Sequence, residues 1–189
     1  MTDDSQEMLD TLNARLRHLA ARVARLEAEQ EIRAVMMRYM ELCDRLDADT
    51  PMDELGALFT TDAIWAGKGA RYGAAFGGHR GRRAIVAMLD RYRLPIPHFA
   101  MNAHFLSSET IDVSEGQGRA KGRWMMLQTS TYADGRSDLR SARLEVGFAI
   151  EEGRWRIASF ETENLFSRPV DRWDDPAEVP VPDKTGENS

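Results

Sequence analysis

Apolar positions recur at helical spacing over the first quarter of the chain and at every second residue over much of the last half, so a helical front and a stranded back are expected. From Met8 to about Asp47 the residues are mostly Ala, Leu, Arg, Glu and Met, with neither Gly nor Pro, and a continuous helix is predicted. Within it Leu9, Leu12, Leu16, Leu19, Val23 and Leu26 alternate spacings of three and four, a heptad seam. Ile32, Val35, Met36, Tyr39, Leu42 and Leu46 form a second apolar stripe offset from the first. One helical run therefore serves two surfaces. Residues 31–46 are expected on the chain's own sheet, and residues 8–28 either on a partner subunit or along an exposed edge of their own domain.

Pro51 disfavours helix at Thr50 and ends this run. A short helix follows from Met52 to Phe59, then a strand around Ala63 to Trp65. Residues 67–81 hold six of the 14 glycines, interleaved with Arg71, Tyr72, Phe76 and His79, and read as a mobile loop. Neither a phosphate-cradling GxxxxGK[ST] pattern nor a strand–GxGxxG–helix unit occurs. Arg82 to Tyr92 is an amphipathic helix with Ile85, Met88 and Leu89 on one face. Beyond Pro97, strands at Ser107–Val113, Arg119–Thr131, Ser141–Glu151 and Arg154–Phe166 are separated by Gly-containing hairpin turns. Helices first and an antiparallel meander afterwards predict an α+β fold, a curved sheet closed over helices. The implied division is an N-terminal helical arm over residues 1–30, one α+β domain over 31–167, and a Pro-rich extended or disordered tail over 168–189.

Composition narrows the partners. A net charge of −6 speaks against nucleic acid, which needs basic residues gathered on one face. No stretch is long enough to span a bilayer, the acidic start carries no secretory signal, and the single Cys43 cannot form an internal disulfide; a reducing cytoplasm is expected. On the strands, Trp124, Met126 and Gln128 share a side opposite Arg119, Lys121 and Arg123, and Phe160, Thr162 and Asn164 oppose Glu161 and Glu163. If the less charged sides form the concave face, they enclose an apolar cavity suited to a small hydrophobic ligand.

Three residues bear on chemistry: Tyr39 and Asp44 near the end of the long helix, and His98 in Pro97-His98-Phe99-Ala100-Met101-Asn102. A histidine beside a carboxylate can take a proton from carbon, because the carboxylate fixes the imidazole tautomer and stabilises the imidazolium. Tyr39 and Asp44 lie about 140° apart in helical projection, so they would meet a cavity from its floor and its rim. Taken singly, Tyr39 reads as core, Asp44 as a solvated helix-end residue and His98 as a packing residue. His104 follows His98 by six residues, with Asn102 between them. A metal site of both histidines with Asp44 or Glu109 has no spacing to fix it, and no metal or organic cofactor is expected. Cys43 adjoins Asp44, whose charge raises a thiol pKa, so no nucleophilic role is expected.

The run Ile32 to Asp44, Leu58-Phe59-Thr60-Thr61-Asp62-Ala63-Ile64-Trp65, Gly78-His79-Arg80-Gly81, Pro97 to Asn102 and Gly153-Arg154-Trp155-Arg156-Ile157 resembles the SnoaL-like branch of the nuclear transport factor two-like superfamily. The likeness covers roughly residues 8–166. It is nearest in pattern to the bile-acid dehydratase type, with scytalone dehydratase and lindane dehydrochlorinase as relatives. The resemblance implies a cone-shaped pocket, a homo-oligomer that is commonly a trimer, and elimination or proton abstraction without cofactor. The dehydratase's Tyr-x4-Asp element falls on Tyr39 and Asp44, and its catalytic histidine on His98; the dehydrochlorinase's His–Asp dyad also falls on His98 and Asp44. Gln128 and Asn164 stand where the bile-acid dehydratase has a pocket aspartate and a pocket arginine.

The resulting expectation is a cofactor-independent lyase, dehydratase-like, or an isomerase. It would use His98, Asp44 and Tyr39 on a small hydrophobic cyclic substrate such as a steroid, terpenoid, polyketide or aromatic catabolite. Trp65, Asn102, Trp124, Met126, Gln128, Phe160 and Asn164 would bind it. The alternatives are a non-catalytic small subunit of a ring-hydroxylating dioxygenase and a ligand-binding or polyketide-cyclase-like module, since this fold carries all of these.

Overall fold

With neither Gly nor Pro from residue 3 to residue 45, the first helix runs unbroken as α1 (Asp3–Arg45), about 65 Å long at 1.5 Å per residue. A computed structural model describes residues 3–93, 96–114 and 116–171. After α1 the chain turns through a ring of bonds in which Thr50 Oγ1 accepts from the Asp47 amide at 2.9 Å and meets Asp47 Oδ1 at 3.0 Å. It continues as α2 (Met52–Ala57), β1 (Phe59–Lys68), α3 (Gly69–Phe76), β2 (Gly78–Arg80), α4 (Arg82–Asp90), β3 (Phe99–Ser114), β4 (Arg119–Tyr132), β5 (Ser137–Glu151) and β6 (Arg154–Val170).

The six strands form one curved, unclosed sheet in the order β2-β1-β6-β5-β4-β3. The meander from β3 to β6 is antiparallel throughout, as its short turns require, while β1 joins β6 in parallel. The expected α+β architecture, a curved sheet over helices behind a long N-terminal helix, is the observed one. The core lies between the sheet and the helices. Ile32, Met36 and Leu42 of α1, Leu46 just beyond it, Leu55 of α2 and Ile85 and Met88 of α4 are buried with Leu144, Val146, Phe148 and Ile157 of the sheet.

Three expectations change. The glycine-rich stretch is not a loop but α3 followed by β2. Tyr72 and Phe76, one turn apart on α3, stack edge-on at 4.9 Å, and Phe76 packs against Trp65 at 5.6 Å, so tertiary contact holds a helix that Gly73 alone would weaken. Gly77 ends it with φ of 62°, a conformation that favours glycine. The first strand of the meander begins at Phe99 rather than Ser107, because Asn102 to Ser107 pair residue for residue with β4. The last strand runs to Val170, where Arg168 and Pro169 pair with Leu139 and Asp138, so the tail does not begin at residue 168. Residues 172–189 of that expected tail lie outside the described residues.

The two stripes of α1 separate cleanly. Ile32, Met36 and Leu42 are at most 1% exposed, whereas Leu9, Leu12, Leu16, Leu19, Val23 and Leu26 are 46% to 63% exposed. Among the described residues the seam of the arm covers no sheet edge. Among the described residues no helix is long and apolar enough to cross a membrane.

Because Leu42 is fully buried where α1 meets the sheet, Leu42→Ala leaves a cavity and is expected to cost about 3 kcal/mol. Leu16→Ala on the arm is expected to leave the urea midpoint of the globular part within about 0.5 kcal/mol of the parent. Equilibrium unfolding followed by tryptophan fluorescence checks both.

Candidate active site

Between the concave face of the sheet and the helices lies a cavity of about 340 Å³. Its wall is mostly apolar: Met40 of α1 and Leu46 just after it, Phe76 of α3, Met88 and Leu89 of α4, and Met126, Leu144 and Phe160 of the sheet. The polar groups that reach it are Tyr39, His98, Asn102, His104, Gln128, Arg140 and Thr162. An apolar hollow with a few converging polar groups is the usual form of a small-molecule site.

Alternation on β3 places Asn102 and His104 on the inward face. Asn102 ties that strand to the end of α1: its Nδ2 donates to the Cys43 carbonyl at 3.3 Å. Its Oδ1 accepts from Gln128 Nε2 at 2.8 Å and from Ser130 Oγ at 2.7 Å. Two residues on, His104 Nδ1 meets Asp44 Oδ1 at 2.6 Å. An ionised carboxylate can only accept, so Nδ1 is the donor, and in the neutral form of this ring, which lines the cavity, Nε2 carries the lone pair. The His104 side chain is 11% exposed and that of Asp44 28%, so the pair sits at the border between core and water.

Tyr39 lies on the same helix but faces the core. Its ring packs edge-on against Phe59 and Phe160, and its hydroxyl accepts from Trp65 Nε1 at 3.0 Å. That bond occupies a lone pair, and the hydroxyl also meets the Cys43 thiol one turn along the helix. Burial pushes the Tyr39 pKa well above the ordinary tyrosine value, so the group keeps its proton. Burial also pushes the neighbouring Cys43 thiol up to about 12, which leaves it inert. Trp65 stacks on Phe160 at 5.7 Å with planes 9° apart, forming a flat aromatic wall.

At the other end of the cavity His98 precedes β3 and is exposed. Its ring stands edge-on to Tyr92, Phe99 and Tyr132. Partial burial among these rings and, after it, the Arg140 charge lower its pKa from the ordinary value. Arg140 Nη2 donates to Asp138 Oδ2 at 2.8 Å and contacts the Tyr132 hydroxyl. Its Nε is buried without a hydrogen-bond partner among the described residues.

The expected pairing of His98 with Asp44 is therefore replaced: Asp44 holds His104. The reason is positional. The Asn102 bracket brings the end of α1 beside residues 102–104, whereas His98 lies beyond a bulge at Ala100, against Tyr92 and Tyr132. His104 stood in the sequence two residues after Asn102 on an alternating strand, and that parity was the available signal. Trp65, Asn102, Met126, Gln128 and Phe160 line the cavity; Trp124 and Asn164 do not. The Trp124 ring lies over Gly122, where a Cβ would come within 2.3 Å of it, and its Nε1 donates to Glu109 at 3.1 Å. Asn164 Nδ2 is bound at a strand bulge to the Ser141 and Phe166 carbonyls. Glu109 is held by Arg33 at 2.6 Å, and among the described residues no cluster of three His, Cys, Asp or Glu side chains is placed to hold a metal ion.

Comparison with known proteins fits this architecture. The dehydrochlorinase LinA-type3 from Novosphingobium barchaimii LL02, which acts on hexachlorocyclohexane, superposes with a TM-score of 0.66 at 14% identity, over 85% of this chain and 100% of that one. A scytalone dehydratase-like protein from Novosphingobium aromaticivorans DSM 12444 gives 0.63 at 20% identity, over 82% and 97%. A protein of nuclear transport factor two-like type with a cystatin-like fold, from Novosphingobium aromaticivorans DSM, gives 0.62 at 28% identity, over 79% and 90%. No curated protein matches the sequence. The SnoaL-like domain profile matches residues 24–161, from within α1 to within β6 and most of the chain, and the protein belongs to that family.

Proposed function

We propose that this protein is a cofactor-independent lyase that eliminates water or a halide from a small hydrophobic cyclic substrate, or an isomerase using the same base. The observation that carries the reading is the 2.6 Å contact between His104 and Asp44 at the wall of an apolar cavity. Structural relatives named as a dehydrochlorinase and a scytalone dehydratase-like protein support elimination as the reaction class.

In this reading His104 Nε2 takes a proton from a carbon activated by a neighbouring carbonyl or electron-withdrawing group. Asp44 fixes the tautomer and stabilises the imidazolium that forms. The electrons of the broken C–H bond form the double bond, and the bond to the leaving group breaks. Tyr39, protonated and with its hydrogen free of Trp65, donates to the developing oxyanion or to the departing oxygen. The flat Trp65–Phe160 wall suits a ring, and the Arg140 guanidinium lining the far end suits a substrate oxygen. A cavity of about 340 Å³ suits one small molecule. Association of several copies, a trimer among them, accompanies this reading.

The test is turnover on a panel of cyclic β-hydroxy and β-halo ketones, together with exchange of the α-hydrogen in D2O read by NMR. His104→Ala and Asp44→Asn are each expected to lower the rate by about 10²- to 10⁴-fold with the fold intact by circular dichroism. His98→Ala is expected to stay within about tenfold of the parent. Full activity in His104→Ala rejects the base, and neither exchange nor turnover by the parent across the panel favours a binding module.

The rim histidine makes a separate prediction. His98 binds a proton less readily folded than unfolded, so its contribution to stability is present above a pH of about 6.5 and is lost as pH falls through and below that value. Urea midpoints measured between pH 7.5 and 5 are expected to decline less for His98→Gln than for the parent.

A further inference from the structure

The first half of α1 has no partner within the described chain. Met8, Leu9, Leu12, Leu16, Leu19, Val23 and Leu26 are 46% to 64% exposed and form one apolar strip about 27 Å long. A helix whose seam stays open to water at this length marks an interaction surface. Leu9, Leu16 and Val23 occupy the first core position of each heptad, and Leu12, Leu19 and Leu26 the second. The positions farthest from the seam are Ala14, Ala21 and Ala28, which favour helix and add no apolar bulk to the outer face.

We infer that this arm is a parallel coiled coil with the same segment of a second copy of the chain. The charges beside the seam select both occupant and direction. Arg22 precedes one core pair and Glu27 follows the next, and neither makes an ion pair within the chain among the described residues. In a parallel arrangement Arg22 of one copy meets Glu27 of the other, twice by symmetry. An antiparallel arrangement that keeps the leucine layers matched instead sets Arg15 beside Arg22, a like-charge contact. A lipid surface fits less well, since the seam is only two positions wide per heptad and the outer side mixes Ala14, Ala21 and Ala28 with Asp10, Arg17 and Arg25 rather than forming a continuous basic band. The inference is independent of the proposed reaction, because no residue of the arm reaches the cavity.

The experiment is disulfide trapping in the full chain. The single native cysteine, Cys43, is buried and inert, so it adds no background. Leu12→Cys and Leu19→Cys each place like residues face to face only in the parallel register, and mild oxidation is expected to yield at least tenfold more covalent dimer than Ala21→Cys on the outer face. Sedimentation equilibrium of Leu12→Glu/Leu19→Glu is expected to show self-association weakened at least 100-fold, with the circular dichroism of the globular part retained. Trapping only in a mixture of Leu12→Cys with Val23→Cys, equal trapping at Ala21→Cys, or co-pelleting of the parent with phosphatidylserine vesicles that the double-glutamate variant abolishes would overturn it.

Discussion

The site depends on one joint, the bond set that fastens the end of α1 to β3. Asn102 uses its amide nitrogen on the Cys43 carbonyl and its oxygen on Gln128 and Ser130, so helix, strand β3 and strand β4 are locked at a single buried point. Buried polar groups are costly unless paired, and here nearly all of the Asn102 capacity is used. The consequence for chemistry lies one step outward. Asp44 follows Cys43, His104 follows Asn102 by two, and the joint leaves these two side chains in hydrogen-bonding contact.

The cavity around this joint is divided in character. Near the helix, Tyr39, Trp65 and Phe160 form a packed aromatic wall whose polar atoms are already oriented by one another. Near the start of β3, Arg140, Asp138 and Tyr132 form a charged cluster beside an exposed histidine. A substrate spanning the two would place its ring against the wall and its oxygen by the guanidinium. Desolvation acts in opposite senses on these groups: it holds the Tyr39 and Cys43 protons on and disfavours the charged form of His98.

The same helix carries two separate tasks. Its second half is buried and bears Tyr39 and Asp44; its first half is open and bears a leucine seam. Because no Gly or Pro interrupts it, the two halves are mechanically one rod.

The long helix, its two stripes, the order of the meander strands and their turns were all legible in the residue pattern, because period and turn chemistry are local properties. Tyr39 and Asp44 were legible as a spacing, and Trp65, Met126, Gln128 and Phe160 as one face of their strands. The helix α3 was not, because the packing of Phe76 against Trp65 and of Tyr72 against Phe76 outweighs the glycines around them. Nor was the choice of histidine. The residue pattern pointed to His98 and offered His104 only as a conceivable metal ligand, and the bulge at Ala100 and the Asn102 joint decide which one the carboxylate meets. Sequence by itself determined which segments have a face to bury. Tertiary structure decided which polar groups on those faces touch, since a strand register and a helix end separated by some sixty residues meet only once the core has closed.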